Sequence, residues 1–231
     1  MSNTADAIII GAGVHGASLA YHLARRGVKP VVLEKDFIAA GATGRSSGLV
    51  RMHYDVRQDS ELAWISFGYF RNWTERVGGE CGFTRTGFIQ VVAREHEKAL
   101  RTNTRMHQEI GIASFLISAE DVRRLAPSFR TDDFDVAAYE PESGYADPSA
   151  TTGSLINAAK EAGMRIVQDC AVTGVIVEED RVKGVHTSQG DYFAPVVVNA
   201  AGPWADALNR SAGLDHLGIG DASQGFGILL D

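Results

Sequence analysis

The chain has 231 residues, of which 45% are hydrophobic and 22% charged, and its net charge is −7. This length and composition allow a buried core without disulfide or metal support, which excludes disordered, coiled-coil and collagen-like proteins, and the acidic balance speaks against nucleic acid as the main partner. No apolar run reaches the length of a membrane span, and the first residues lack the basic segment of a signal peptide. We therefore expect a soluble, cytoplasmic protein.

The first forty residues have the pattern of a βαβ unit. The apolar run at 7–10 is typical of a parallel strand buried on both faces. The glycine turn at 11–16 follows at once, and small and apolar residues then recur at helical spacing as far as Arg26. Residues 31–33 predict a second parallel strand, which ends at Glu34.

Residues 41–51 form a loop rich in glycine and hydroxyl residues, which indicates a backbone packed closely against a ligand. A helix is predicted next, over residues 60–77. Its predicted apolar stripe consists of Leu62, Ile65, Tyr69, Trp73 and Val77.

The middle stretch, residues 81–140, predicts an inserted α+β subdomain. Ser118 and Asp121 predict a capping box, with an aspartate in place of the usual glutamate, at the start of a short helix that ends before Pro127. The other predicted elements here are strands at 87–93 and 114–117 and a helix at 95–110.

From residue 141 the pattern returns to the first type. An amphipathic helix, three strand-like runs that predict a β-meander, and a final apolar strand follow at 151–162, 165–170, 172–178, 182–188 and 194–199. The predicted fold is therefore α/β, a Rossmann-type domain with a parallel sheet plus a β-meander. It comprises residues 1–80 and 141–213, with the α+β subdomain inserted at 81–140 and an atypical glycine-rich tail at 214–231.

The glycine turn predicts a dinucleotide site because a strand precedes it and a helix follows it. Gly11 permits the tight turn, Gly13 lets the backbone approach a pyrophosphate, and Gly16 lets the helix pack on the sheet. Glu34 is placed to accept hydrogen bonds from ribose hydroxyls, and its charge disfavours the 2′-phosphate of NADP. NAD and FAD both remain open, as does a glycine turn that binds nothing.

The order of this turn, Glu34 and the loop at 41–51 resembles the FAD-dependent amine and amino-acid oxidoreductases, which include D-amino-acid oxidase, glycine oxidase, sarcosine oxidase and dimethylglycine dehydrogenase. Residues 198–205 and 118–125 match the same family, and the resemblance covers about residues 5 to 212. It implies FAD as the cofactor. The implied FAD-binding residues are Gly11, Gly13, Val14, His15, Gly16, Glu34, Lys35, Gly41, Thr43, Gly44, Arg45, Ser46, Ser47, Gly48, Val172, Ala200, Ala201, Gly202 and Trp204.

The resemblance also implies the reaction, oxidation of the C–N bond of a small primary or secondary amino acid by hydride transfer to flavin. Arg51 matches the position that clamps the substrate carboxylate, and a structural arginine is the alternative. Arg45 is expected to stabilise the reduced flavin. His53 and Tyr54 are expected to line the pocket or orient the amine, with simple packing as the alternative.

The sequence predicts no metal site, because Cys81 and Cys170 have no second ligand at a suitable spacing and the other histidines form no constellation. Solvated or helix-face positions are expected for those histidines.

Members of the family continue well past 231 residues, with a second half that completes the substrate sheet. We expect this chain to lack that half, and we expect exposed apolar surface to cause self-association or to bind a partner subunit. The electron acceptor, oxygen or another protein, stays open. One alternative function is a catalytically incompetent module or subunit that binds FAD or its ADP part. A second is an NAD-dependent dehydrogenase, which gives no reason for the loop at 41–51.

Overall fold

The computed structural model describes residues 3–214, so nearly all of the predicted tail at 214–231 lies outside the described residues. The chain divides into two compact units. The first unit runs up to Ser46, takes in Val77–Cys81 and resumes at Pro148, and the second consists of Ser47–Arg76 and Gly82–Asp147. The sequence-based division differs from these units chiefly in residues 47–76, which belong to the second unit.

The strands are β1 (Ala7–Ile10), β2 (Pro30–Leu33), β3 (Leu49–Val50), β4 (Thr84–Arg85), β5 (Phe88–Val91), β6 (Phe115–Ser118), β7 (Val136–Glu140), β8 (Gly144–Tyr145), β9 (Arg165–Val167), β10 (Val172–Glu178), β11 (Arg181–Thr187), β12 (Tyr192–Phe193) and β13 (Val197–Asn199). The α-helices are α1 (Val14–Ala24), α2 (Arg57–Arg71), α3 (Trp73–Arg76), α4 (Glu97–Ile110), α5 (Ala119–Leu125), α6 (Pro148–Glu161) and α7 (Ala205–Ser211). Among residues 3–214, none of these helices has the length and apolarity of a membrane span.

The first unit contains a parallel sheet of four strands in the order β13-β1-β2-β9. Ile8 of the central strand pairs with Val31 on one side and with Val197 on the other. Helices α1 and α6 pack against each other, and apolar side chains of the sheet pack with Val185 and Tyr192 from the antiparallel sheet β10-β11-β12. These observations confirm the predicted α/β fold with a parallel sheet and a meander.

The meander has different strands from those predicted. The run predicted at 165–170 forms β9, which pairs in parallel with β2, and β12 takes the third place in the meander. Parallel strands need a crossover connection, and the long chain segment between β2 and β9, which ends in α6, provides one. The tight turn between β10 and β11 produces an antiparallel pair instead.

The second unit contains two antiparallel sheets of three strands, β3-β8-β4 and β5-β7-β6. Helix α2 packs on α4, which explains why residues 47–76 belong to this unit. Its apolar clusters centre on Met52, Phe67 and Ile112 and on a second group around Val122 and Phe134. The predicted capping box is confirmed, because Ser118 and Asp121 exchange both of its hydrogen bonds at the start of α5.

The helix predicted at 60–77 is two helices, and its predicted stripe is confirmed at Trp73 and Val77, which are buried, but wrong at Leu62 and Ile65. Leu62 and Ile65 are 63% and 65% exposed. The buried side of α2 instead carries Phe67, with Trp64 stacked beside it, and both rings join the cluster around Met52. The helix has two apolar stripes, and the stripe with Trp64 and Phe67 is the one that packs inward on Met52 and Ile112.

Two glycines that lie in helices test the packing of the first unit. A Cβ at Gly16 would lie 2.0 Å from the carbonyl oxygen of Gly11, whereas a Cβ at Gly153 would meet nothing within 4 Å. We expect Gly16→Ala to lower the free energy of unfolding by at least about 2 kcal/mol, because backbone must move. Gly153→Ala is the matched control and should raise it by roughly 0.5–1 kcal/mol. Urea unfolding measures both, and equal stability of the two variants would contradict this packing.

Candidate active site

The turn between β1 and α1 requires glycine at its first and last positions. Gly11 has φ +99°, and a Cβ there would lie 2.7 Å from the carbonyl oxygen of Ala200. Gly16 admits no side chain because of the Gly11 carbonyl. The turn therefore joins β1 to α1 in three residues, and it starts α1 at the carboxyl edge of the parallel sheet.

The first turn of α1 has the positive electrostatic potential that favours an anion. Its N–H groups have no acceptor within the helix, its N-cap residue Gly13 has no side chain to cap it, and it contains no acidic residue. Thr43 of the second glycine loop contacts it, since the Thr43 Oγ1 accepts the Val14 N–H at 3.0 Å. The hydroxyl proton of Thr43 remains able to donate to an anion. A Cβ at Gly13 would lie 3.1 Å from this oxygen, and His15 beside it is exposed.

Glu34 is fixed at the end of β2 by two backbone groups. Its carboxylate is 8% exposed, with Oε2 accepting the Ala12 N–H at 2.7 Å and Oε1 accepting the Asp36 N–H at 3.0 Å. Each oxygen retains a further lone pair, so the carboxylate can still accept from hydroxyl groups. Lys35, the next residue, places its Nζ 4.0 Å from the ring centroid of Trp204.

The second glycine loop and the late turn lie against each other. A Cβ at Gly41 would lie 3.2 Å from the Trp204 ring, and a Cβ at Gly44 would lie 2.4 Å from the carbonyl oxygen of Ala39. The Asn199 amide holds the late turn by donating to the carbonyl oxygen of Ala205 at 2.8 Å. The structure thus brings the first glycine turn, Glu34, residues 41–46 of the second loop and the late turn together within the first unit.

The other predicted site residues divide between the units. The first unit holds Arg45, Ser46, Val172, Ala201 and Gly202, and the second holds Ser47, Gly48, Arg51, His53 and Tyr54. Arg45 and Ser46 are exposed, and Val172 begins β10 opposite Thr187. Gly48 accepts a backbone hydrogen bond from Ala146, which starts the sheet β3-β8-β4.

Arg51 is half-buried between two aromatic rings of the second unit. Its guanidinium carbon lies 5.0 Å from the ring centroid of Tyr54 and 5.3 Å from that of Phe88. Across residues 3–214, no carboxylate forms an ion pair with it. Ring faces hold a guanidinium by cation–π attraction and leave its edge N–H groups available to a planar anion.

His53 is buried, at 4% exposure, and packs edge-on against His107 with 4.4 Å between ring centroids. Its Nδ1 lies 3.9 Å from Oε1 of Glu140. Burial, together with the charge of His107, lowers the pKa of His53 to about 4 against the opposing effect of Asp55. The imidazole is therefore neutral at pH 7, and its catalytic role remains a prediction.

Sequence reasoning missed the two buried residues that lie beside His53, namely His107 and Glu140. The solvated position expected for His107 is wrong, because its side chain is fully buried on the inner face of α4. The sequence could have shown this, because His107 follows Leu100 and Thr104, the other buried residues of α4, at helical spacing. Glu140 ends β7, a strand that the sequence analysis did not predict, and is fully buried as well.

A family model described as FAD dependent oxidoreductase matches residues 6–230. The chain belongs to this family. Human mitochondrial sarcosine dehydrogenase is 31% identical over 222 residues, which are 93% of this chain and 24% of that protein. The mouse mitochondrial pyruvate dehydrogenase phosphatase regulatory subunit is 30% identical over 211 residues, 90% of this chain and 24% of that protein. The chain thus spans about a quarter of the length of these curated relatives.

Among solved structures, L-proline dehydrogenase from P. horikoshii superposes with a TM-score of 0.87 and 28% identity, over 93% of this chain and 57% of that chain. The resemblance to FAD-dependent oxidoreductases is confirmed, and so is FAD as the cofactor of the family. The first unit fits this cofactor, since its open helix terminus suits a pyrophosphate and the fixed Glu34 carboxylate suits ribose hydroxyls.

Thr43 offers a test of the cofactor site that leaves the glycines in place. Thr43→Val keeps the shape of the side chain but removes the hydroxyl that contacts the first turn of α1. We expect it to weaken FAD binding by about 10- to 100-fold, because a hydrogen bond to a charged group is lost. Thr43→Ser is the matched control and should bind FAD as the wild type does. Flavin fluorescence titration measures the affinity, and equal affinity of both variants would remove Thr43 from the site.

Proposed function

We propose that the chain is the FAD-binding part of an oxidoreductase that oxidises the C–N bond of a small amino acid with a primary or secondary amine. The observation that carries this proposal is the cradle of the first unit. There the open terminus of α1, the Thr43 hydroxyl and the buried Glu34 carboxylate meet at one turn. The family match favours FAD over the NAD alternative.

Within this cradle the chain binds and orients the cofactor. The N–H groups of the first turn of α1 and the Thr43 hydroxyl would hold the phosphates, and Glu34 would accept from the ribose hydroxyls. When bound, FAD supplies the hydride acceptor, so the protein itself needs few acid–base groups. The negative charge of Glu34 disfavours a 2′-phosphate.

Arg51 supports an amino acid as the substrate class. Its guanidinium is held by Tyr54 and Phe88 and has no carboxylate partner within the described chain, so it suits the carboxylate of a substrate. The proteins compared above are named for sarcosine and L-proline, each of which carries a carboxylate and a secondary amine. A small secondary amino acid is therefore the substrate that we favour.

A second candidate is a subunit that binds FAD or its ADP part and acts through assembly rather than catalysis. It is favoured by one specific observation, the similarity to a protein that is named as a regulatory subunit. In this case the cofactor cradle would be retained, while turnover of amino acids would be absent and a partner subunit would be required.

The visible absorption spectrum of the purified chain separates these candidates. We expect bound flavin, and we expect anaerobic addition of excess sarcosine or proline, and more weakly glycine, to bleach its bands. Flavin that stays oxidised with every substrate would favour the assembly subunit. A chain that neither contains FAD nor binds added FAD would contradict both candidates.

Arg51→Lys tests the carboxylate clamp. Lysine keeps the charge but loses the planar pair of donors, so we expect the KM for sarcosine or proline to rise about tenfold or more while flavin content is unchanged. Arg57→Lys is the matched control, because Arg57 already pairs with Glu109 on the surface of the same unit. Steady-state kinetics of both variants measure the effect, and unchanged KM in Arg51→Lys would leave Arg51 with a structural role.

A further inference from the structure

Three buried polar side chains of the second unit converge on one point. His53 lies in the segment that follows β3, His107 on α4 and Glu140 at the end of β7. They are 4%, 0% and 0% exposed, and one ligand atom from each lies within 4.8 Å of the other two. All three belong to one compact unit, so their proximity is a feature of that unit alone.

Each of these residues contains a buried polar atom without a hydrogen-bond partner, namely Nδ1 of His53, Nδ1 of His107 and Oε1 of Glu140. The tautomer of His107 follows from its other nitrogen, since Nε2 lies 2.9 Å from the carbonyl oxygen of Tyr54 and must donate its proton there. In the neutral tautomer with this Nε2 proton, Nδ1 of His107 carries a lone pair. No donor among residues 3–214 reaches this lone pair or Oε1 of Glu140. Two buried acceptors thus face each other across a site that needs a cation or a proton donor.

The surroundings orient the ligands in the way that metal sites do. The Nε2–H of His107 donates to a backbone carbonyl, which fixes the ring. The second carboxylate oxygen of Glu140, Oε2, accepts the Met52 N–H at 3.1 Å and the Ser143 hydroxyl at 2.8 Å. These contacts leave Oε1 as the atom that faces His53 at 3.9 Å.

We propose that His53, His107 and Glu140 bind one zinc ion. Two imidazole nitrogens and one carboxylate oxygen are a ligand set that zinc accepts in proteins, with a fourth position for water. Ligand atoms on a tetrahedral zinc lie about 3.3 Å apart, so the observed separations close with side-chain shifts on the order of 1 Å. The dipositive ion compensates the buried carboxylate and fills both lone pairs at once.

The site has a structural role in this unit. It joins the segment at 52–54, helix α4 and strand β7, which are distant in sequence, and the first of these follows directly after Arg51. A zinc ion therefore holds in place the backbone that presents Arg51. In this role His53 is a metal ligand rather than a group that orients the amine. The inference is independent of the proposed function, because it requires neither FAD nor substrate.

The test is zinc binding by the full chain without an affinity tag, after removal of metals with a chelator. In competition with a chromophoric chelator we expect one zinc per chain, and we expect zinc to raise the melting temperature. The X-ray absorption spectrum of the zinc-loaded wild type should show nitrogen and oxygen ligands, including imidazole, and no sulfur. This measurement excludes Cys81 and Cys170 as the ligands and needs no variant that fails to fold.

The variants assign the site. His107→Gln and Glu140→Gln should each lose stoichiometric zinc binding. Ser143→Ala should lower the zinc affinity at least tenfold, because this variant lacks the hydroxyl that orients Glu140. His96→Gln, which changes an exposed histidine of the same unit, is the control and should bind as the wild type. No zinc on the wild type, sulfur ligation, or wild-type zinc binding by His107→Gln would each overturn the proposal. If the wild type binds no zinc, a buried water that joins the three groups would be the explanation.

Discussion

Helix α1 rests on the parallel sheet only because Gly16 has no side chain, since a Cβ there would overlap the carbonyl oxygen of Gly11. This close approach fixes where the helix begins. The N–H groups of its first turn then lie at the carboxyl edge of the sheet, beside the end of β2 and the Glu34 carboxylate. The Thr43 hydroxyl reaches the same turn from the second loop. The close approach at Gly16 thus positions the helix terminus around which Thr43 and Glu34 complete the cofactor cradle.

The sequence predicted those parts of the fold whose signals are local. The parallel strands β1 and β2 are continuous apolar runs because both of their faces are covered, and the capping box of α5 needs only Ser118 and Asp121. Strand β7 was missed because its extended form depends on pairing with β5 and β6 on its two sides. Helix α2 has two apolar stripes, and only the position of Met52 and Ile112 decides which one is buried.

Of the two candidate sites, one could be predicted from local sequence signals and the other could not. The glycine turn and Glu34 form a motif in which spacing along the chain determines spacing in space, so sequence alone locates them. The cluster of His53, His107 and Glu140 comes from three elements that only tertiary structure brings together. No short spacing marks it, and the cysteines, which are the usual signal of a zinc site, lie elsewhere.

The strand order β13-β1-β2-β9 has a consequence for how the protein is made. Strand β1 is synthesised first and occupies an interior place in the sheet, yet its partner β13 begins only at Val197. Until then, one edge of an apolar strand has no partner, whereas every strand of the second unit is complete by Tyr145. The second unit can therefore fold on the ribosome before β13, the last strand of the first unit, has been synthesised. Over that interval the unpaired edge of β1 is open to aggregation and to chaperones.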